Sequence, residues 1–393
     1  MLAAAAFGAQ VLSTGIGARG AEPAIIHPFG SWPLGGALDF VASPLVRWDA
    51  QWYLRIAEHG YRADVEALRG TRAFFPVYPL LVRGLGGFAD AGLALLVAIA
   101  ISLAAFWAGL RLLHRLTALE LGAPAADATV VLLALAPFAF FFSAPYTESV
   151  FLLSSVAAVL AARRGRFGLA AVAAALASGT RPTGALLVLP LAIVYLYGPR
   201  ADREPAPARG PGWRRVLPRH APRPDVLWLA LAPLGIVAFS LYLRHAAGDA
   251  LAWQHVQSLF GRRATEWPTE TVRQGAVAAF HALEGEGPGV YRAPILIEFA
   301  FLPLALAAIV GTFRRLPFAY GAYSVAAVLF ALSSPAYAEP LRALPRYLLV
   351  VFPLSMWLGD FAARRGLVRV LAVGSAAALA VLTALFASWR PYV

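Results

Sequence analysis

The sequence predicts an all-α polytopic membrane protein. Of its 393 residues 60% are hydrophobic and only 14% are charged, whereas about 25% of residues in soluble domains are charged. Continuous apolar runs such as 91–113 and 368–388 are long enough for a helix to cross the bilayer. A membrane β-barrel would instead alternate apolar and polar residues in segments of about ten. Helices are therefore the predicted spanning elements, since each satisfies its own backbone hydrogen bonds.

The net charge of +12 comes from 33 basic residues, all of them Arg. Many stand in short clusters beside apolar runs, which is typical of charges that orient spans in a membrane. We therefore predict no nucleic-acid partner, although a basic protein raises that possibility. The chain contains no Cys, which excludes disulfides, cysteine nucleophiles and thiolate metal sites.

About eleven spans are predicted within a single domain over residues 1–393. Residues 18–90 form a large first extracytoplasmic loop, in which mixed aromatic and charged residues indicate interfacial helices. Residues 199–224 are a predicted cytoplasmic loop, and residues 245–293 are a second extracytoplasmic loop. In chain order the spans are 1–16 (a short first helix), 91–113, 126–142, 150–162, a hairpin of two short helices over 167–198 that is broken at 178–184, 227–243, 294–312, 319–333, 347–358 and 368–388.

One threading places all the basic clusters on a single membrane side, as the positive-inside rule requires. Those clusters are 111–115, 163–166, 199–224, 314–315 and 364–369. The same threading puts the polar motifs on the other side, where a lipid head group and a second substrate can meet. These motifs contain Asp49, Phe75-Pro76, Tyr146-Thr147-Glu148, Arg181 and Arg346.

Asp49 is the candidate catalytic carboxylate. Trp48 and Trp52 flank it, and Trp48, Trp52, Ile56 and His59 recur at helical spacing. A partly desolvated carboxylate beside aromatic rings suits a general base that takes a proton from an acceptor hydroxyl. Alternatively, Asp49 forms only an ion pair with a basic neighbour on the same helix, Arg47 or Arg55.

Three other charged residues each have two interpretations. Glu148 follows Pro145 at a predicted helix start, where a carboxylate favours the helix dipole whether or not it has a function. Arg181 lies at the break of the hairpin and Arg346 at the mouth of a span, and both need partners at membrane depth. A donor phosphate, held by two parallel hydrogen bonds, is one candidate partner. Glu148 or a backbone carbonyl is the other.

The aromatic residues Phe74, Phe75 and Tyr78 anchor the first loop at the membrane boundary or, alternatively, stack on a sugar. His59 and His255 fit interfacial packing better than metal binding. No grouping of His, Asp and Glu has convincing metal-ligand spacing, and no P-loop is present. We therefore predict no cofactor, and a divalent cation is not indicated.

Five motifs, spread in order over about three hundred residues, together resemble a known family. The chain is similar to the bacterial PIG-V-like mannosyltransferases, within the class C glycosyltransferase superfamily. The motifs are Arg47-Trp48-Asp49-Ala50-Gln51-Trp52-Tyr53 with Ile56-Ala57 and Gly60-Tyr61, Phe74-Phe75-Pro76-Val77-Tyr78-Pro79, Tyr146-Thr147-Glu148-Ser149, Thr180-Arg181-Pro182-Thr183-Gly184 and Pro345-Arg346-Tyr347.

This resemblance implies a class C glycosyltransferase fold in a bacterial plasma membrane, with the active site on the extracytoplasmic side. It implies inverting transfer of a hexose, with mannose expected, from a polyprenyl-phosphate sugar to a lipid, glycan or protein acceptor. The first-loop acidic residue, here Asp49, would be the base. The expected substrate-binding residues are Arg47, Trp52, Tyr53, Phe75, Tyr78, Tyr146, Glu148, Arg181, His255 and Arg346.

Two rival functions belong to other classes of protein. A lipid or sugar transporter or flippase would be expected to show inverted repeats and paired polar residues near the middle of its spans. A non-enzymatic scaffold would not explain the aromatic and acidic motifs on the predicted outer side.

Overall fold

A computed structural model describes residues 41–61, 66–86, 91–203, 218–286 and 289–388. The predicted first span 1–16, the first part of the outer loop and most of the cytoplasmic loop fall outside these ranges. Within them the chain is helical, with one isolated β-bridge between Arg262 and Ala336. The α-helices are α1 (Ala50–His59), α2 (Val77–Gly86), α3 (Ala91–Leu121), α4 (Ala123–Ala134), α5 (Glu148–Arg163), α6 (Phe167–Ser178), α7 (Val188–Tyr197), α8 (Leu234–Ala247), α9 (Ala252–His255), α10 (Pro268–Leu283), α11 (Gly289–Arg315), α12 (Phe318–Leu332), α13 (Leu344–Leu349), α14 (Phe352–Arg365) and α15 (Val368–Ala387).

Among the described residues, three helices, α3, α11 and α15, are long and apolar enough to cross a membrane. A fourth candidate combines the 3-10 helix Pro224–Leu231 with α8, although the two are bent by 48° at their junction. Shorter apolar helices, among them α4, α6 and α12, accompany them. The prediction of a polytopic helical membrane protein is therefore confirmed, whereas eleven crossings and the class C fold stay predictions.

Besides the bent pair within the predicted span 227–243, two more of the predicted continuous spans are interrupted, and that part of the prediction was wrong. Over 126–142, α4 ends at Ala134, and a separate 3-10 helix forms at Ala139–Phe142. Pro137, which has no backbone N–H to donate, lies in this break. Over 347–358, α13 and α14 are separate helices, with Pro353 in the first turn of α14. Arg346 consequently lies inside a short helix rather than at the mouth of a long span.

The break predicted in the hairpin is confirmed. Helix α6 ends at Ser178, and the 3-10 helix Pro182–Leu187 leads into α7. A Cβ atom at Gly184 would lie 2.2 Å from the backbone of Ala177, so only glycine lets the returning chain approach this closely. The turn therefore holds Arg181 at a fixed place beside the end of α6.

The first loop is packed into protein more deeply than its predicted interfacial position suggests. Seven of the ten residues of α1 are buried, and the helix packs beside α2 and α3. The predicted helical face that begins at Trp48 is also wrong, because α1 starts at Ala50 and Trp48 has a left-handed φ of 54°. A bulky residue in that conformation requires support from its surroundings. The backbone immediately before Asp49 is thus held by tertiary structure.

Candidate active site

Four charged side chains, Asp49, Arg346, Glu148 and Arg181, form a continuous series that we call the ionic chain. Nη1 of Arg346 donates to Oδ2 of Asp49 at 2.5 Å. Nε of the same guanidinium donates to Oε1 of Glu148, and Nη1 of Arg181 donates to that oxygen at 2.7 Å. Arg346 thus bridges two carboxylates that lie about a hundred residues apart in the sequence. The formal charges of the four groups sum to zero.

The members of the ionic chain differ in how deeply they are buried. The side chain of Glu148 is fully buried, and those of Arg181 and Arg346 are 9% and 12% exposed. Asp49 is 32% exposed and is the most accessible of the four. Removing charges from water is costly unless they are paired, so the inner members stabilise one another while Asp49 remains open to an approaching molecule.

Local backbone features place each member of the ionic chain. Asp49 is the residue immediately before α1, and Glu148 is the first residue of α5. Arg181 is extended and immediately precedes the 3-10 helix that starts at Pro182. Arg346 lies on α13, which begins after Ala343 in a left-handed conformation with φ of 67°. All four side chains therefore come from the ends of helices or from short helices.

Glu298 supports the start of α13. Its Oε1 accepts a hydrogen bond of 2.8 Å from the backbone N–H of Ala343, and its side chain is buried. Nothing in the sequence pointed to Glu298, because a single carboxylate within a long apolar run has no local pattern that reveals its partner.

Aromatic rings surround the guanidinium of Arg346. Its central carbon lies 4.8 Å from the ring centre of Phe141 and 4.7 Å from that of Tyr146. The Tyr146 hydroxyl donates to the carbonyl of Arg47 at 2.8 Å, which ties the start of α5 to the motif that contains Asp49. The Tyr53 hydroxyl lies 3.5 Å from Oγ1 of Thr147. Stacking on aromatic faces further stabilises a partly desolvated Arg.

The structure shows which residues pair with Asp49 and Glu148. Asp49 has Arg346 as an ion-pair partner. Arg47 instead donates to the carbonyls of Ser43 and Ala387. The Glu148 carboxylate contacts two guanidinium groups in addition to its place at a helix start. Contacts between remote parts of the chain, rather than local pairs, therefore define these two acids.

Arg47 also connects the first loop to the last helix. Its Nε donates to the carbonyl of Ala387 at 2.8 Å, at the end of α15. Burial lowers the pKa of Arg47 to about 10, so the side chain remains charged at neutral pH. Its contacts hold the backbone just before Asp49.

Three aromatic residues predicted to bind substrate lie in the protein interior. Tyr78 is fully buried, and its hydroxyl lies 2.9 Å from both the Ala98 carbonyl and Oγ of Ser102. Phe75 contacts Phe239 and Trp253, and Trp52 stacks on Phe74 at 5.8 Å. These contacts support the packing interpretation, and sugar stacking by these residues stays a prediction.

His255 belongs to a different environment. Its Nδ1 lies 2.7 Å from Oδ2 of Asp249 in the predicted second outer loop, and its side chain is 61% exposed. The hydrogen bond with His255 lowers the pKa of Asp249. Within the described ranges, no hydrogen bond or ion pair joins His255 to the ionic chain.

Arg262 and Tyr347 extend the site beyond the residues that were predicted. The ring of Tyr347 lies 5.3 Å from the guanidinium carbon of Arg181 and 5.5 Å from that of Arg262. Nη2 of Arg262 also donates to the Tyr347 hydroxyl at 2.8 Å. Tyr347 stands in the Pro345-Arg346-Tyr347 motif, so the sequence contained a signal for it. Nothing local pointed to Arg262, which comes from the second loop.

One group of potential metal ligands is present at the end of α10. Ligand atoms of His281, Glu284 and Glu286 lie within 4.8 Å of one another, and all three residues are exposed. Two of them follow the last residue of the helix, which is why no regular spacing revealed the group. Exposed acidic clusters of this kind also occur without an ion, and we assign it no role.

Comparison with known proteins identifies the family that the motifs resemble. Residues 37–195 match the family described as Mannosyltransferase (PIG-V). GPI alpha-1,6-mannosyltransferase 2 of Cricetulus griseus is 36% identical over 154 residues, which are 37% of this chain and 30% of that protein. The Rattus norvegicus protein of the same name matches equally well, and the Homo sapiens protein is 33% identical over 153 residues. The resemblance to PIG-V-like mannosyltransferases is confirmed over this region.

The match covers only part of each protein. It spans less than a third of the length of the curated relatives. It includes Asp49, Glu148 and Arg181, whereas Arg346 lies outside residues 37–195. No solved structure matches the chain.

Proposed function

We propose that this chain, whose residues 37–195 match the family described as Mannosyltransferase (PIG-V), is a PIG-V-like mannosyltransferase. It transfers a mannosyl group from a polyprenyl-phosphate sugar to a hydroxyl of a lipid, glycan or protein acceptor. The observation that carries the proposal is the 2.5 Å contact between Asp49 and Arg346. This contact brings together the candidate base, Asp49, and a residue that is a candidate to bind the donor phosphate, Arg346, from positions 297 residues apart.

The phosphate of the donor binds at Arg346, with Arg181 behind it. A guanidinium presents several N–H donors in a plane and holds a phosphate through parallel hydrogen bonds. Glu148 accepts from both arginines and keeps them near one point while their charges are partly desolvated. Fixed positive charge at that point stabilises the negative charge that develops on the leaving group.

Transfer occurs in one displacement. The acceptor oxygen attacks the anomeric carbon and forms the new glycosidic bond as the bond from that carbon to the phosphate oxygen breaks. The polyprenyl phosphate leaves with the electron pair, and Asp49 takes the proton of the acceptor hydroxyl. Attack from the face opposite the leaving group inverts the anomeric configuration, and no covalent enzyme intermediate forms.

Donor binding prepares the base. Arg346 is shared between Asp49 and Glu148, so a phosphate that binds this guanidinium competes with Asp49 for its hydrogen bonds. Asp49, at 32% exposure, is then free to accept a hydrogen bond from the acceptor. The order of binding is therefore donor first and acceptor second.

Replacing Asp49 by Asn tests the base. The amide keeps the shape and the hydrogen-bonding capacity of the side chain but does not take a proton. We expect transfer of labelled mannose from polyprenyl-phosphate mannose to fall by about 10²–10⁴-fold, as for loss of a general base, with donor binding retained. Glu58→Gln on the same helix is the matched control and should keep wild-type activity. Wild-type turnover by Asp49→Asn, or transfer only from a nucleotide sugar, would contradict the proposal.

We further propose that the ionic chain faces the extracytoplasmic side of a bacterial plasma membrane. The chain lacks Cys, so single cysteines introduced at Asp249 or Arg164 report accessibility without background. A membrane-impermeant maleimide applied to intact cells should label Asp249→Cys and leave Arg164→Cys unlabelled until the membrane is opened. The reverse pattern would place the site on the cytoplasmic side.

A further inference from the structure

A second candidate site lies at the opposite end of α5 from the ionic chain. Glu148 begins this helix and Arg163 ends it, which separates the two places by about 24 Å at 1.5 Å per residue. An open cavity of about 650 Å³ lies there between the ends of α3 and α5 and the segment that follows α7. Its basic lining residues are His114, Arg115, Arg163, Arg164 and Arg200.

Part of this positive charge is already neutralised within the protein. Arg163 pairs with Glu120. Arg200 donates to both oxygens of Asp202, at 2.7 and 2.6 Å. Nε2 of His114 lies 2.9 Å from Oδ1 of Asp127. These residues shape the wall of the cavity and leave little charge for a ligand.

Arg115 and Arg164 supply the charge that is not neutralised. Both residues are exposed and line the cavity. Their guanidinium groups have no hydrogen-bond or ion-pair partner in the part of the chain that the structure describes. Arg115 lies on α3 and Arg164 directly follows α5, so two helices present unpaired cations to one space.

The surface that leads to the cavity is apolar. Leu103 and Trp107 of α3 are 45% and 64% exposed, and they precede Arg111 and Arg115 at intervals of four residues. Neighbours at this spacing contact one another, and together they form an inclined row along the helix surface. The guanidinium of Arg111 lies 5.1 Å from the ring centre of Trp107. One helix face therefore changes from hydrocarbon-like side chains to cations over about three turns, which matches the change from acyl chain to head group in a phospholipid.

We propose that this cavity binds the phosphate of an anionic phospholipid through Arg115 and Arg164, with an acyl chain along Leu103 and Trp107. Two guanidinium groups on adjacent helices hold a phosphate by charge-assisted hydrogen bonds. Basic pockets between membrane helices recognise lipid head groups in this way. The site is separate from the ionic chain and does not depend on the proposed transfer reaction.

Native mass spectrometry of the detergent-purified full chain tests the site. The probes are dioleoyl phosphatidylglycerol, dioleoyl phosphatidylcholine and inorganic phosphate. The wild-type protein should retain phosphatidylglycerol in preference to phosphatidylcholine. Arg115→Gln/Arg164→Gln should weaken that retention roughly tenfold or more, from about 1 kcal/mol for each Arg. The control Arg314→Gln/Arg369→Gln removes the same charge from exposed positions outside the cavity and should bind as the wild type does.

Three results would overturn the proposal. Equal retention of phosphatidylglycerol by the cavity variant and the wild type would show that these arginines do not hold the lipid. Equal loss in the two double variants would indicate net charge rather than a site. Binding of inorganic phosphate at the two arginines without preferential retention of phosphatidylglycerol would identify a soluble phosphate as the ligand.

Discussion

Removing Arg346 should destabilise the protein, mainly because the buried Glu148 loses an ion-pair partner and less because Asp49 does. The variant Arg346→Met keeps an unbranched, flexible side chain, shorter than that of Arg, and removes its charge and its hydrogen-bond donors. Glu148 is fully buried but keeps Arg181 at 2.7 Å, so the cost lies near the low end for a broken buried pair, about 3 kcal/mol. Asp49 is 32% exposed, and loss of its pair adds about 1 kcal/mol at most.

A double-mutant cycle with Glu148→Gln separates the pair from other effects. A buried neutral amide does not need a positive charge beside it as a buried carboxylate does. Arg346→Met should therefore lower the free energy of unfolding less in the Glu148→Gln background than in the wild type. We expect a coupling free energy of about 2 kcal/mol between the two side chains. Denaturant unfolding in detergent micelles, followed by the fluorescence of the ten Trp residues, gives the four free energies of unfolding.

The control for this cycle is Arg273→Met. Arg273 also pairs with a carboxylate, that of Glu270, but its side chain is 65% exposed. Water screens such a pair, and the free energy of unfolding should stay nearly unchanged. If Arg346→Met were as stable as the control variant, or if the cycle gave no coupling, the buried ionic chain would not have the energetic role assigned to it here.

Two further predictions concern packing and pH. In Gly235→Ala a new Cβ would lie 2.1 Å from the backbone N of Gly179. Helices α6 and α8 would have to move apart, and the free energy of unfolding should fall by about 1–3 kcal/mol. The control Gly84→Ala has open space around the new Cβ and should be neutral or slightly stabilising in the same unfolding assay. Burial raises the pKa of Glu339 above 4.5, so the folded state holds this proton more tightly and stability should fall as pH rises from about 4.5 through the raised value. Glu339→Gln should remove that part of the pH dependence, and an identical slope in both proteins would contradict it.

The long apolar helices were the most predictable part of the fold. Helices α11 and α15 appear where continuous apolar runs predicted them, because a long run with almost no charge favours a helix whatever surrounds it. Helix ends were less predictable. Pro137 and Pro353 lie in apolar runs that hydropathy alone predicts to be single spans. Hydropathy is averaged over a window of residues, so it does not show that these prolines lack the N–H group that a continuous helix needs.

The four residues of the ionic chain were predicted, but the contacts between them were not. Asp49, Glu148, Arg181 and Arg346 were all singled out from their motifs, and the structure brings them into one ionic chain. Their order was unknown, since spacing along one helix does not show which distant residue will face it. For the same reason Tyr78 was a candidate for sugar binding, although its hydroxyl is satisfied inside the protein.

The sequence by itself determined the chemical nature of this protein: a helical membrane chain with a few polar motifs among apolar runs. It did so because hydrophobicity, charge and glycine or proline act through local backbone and solvent preferences. Only the tertiary structure decided that a single guanidinium bridges Asp49 and Glu148, and that Arg115 and Arg164 have no partner among the described residues around the far end of α5. Such pairings depend on distances between remote residues, and those distances exist only after the helices have packed.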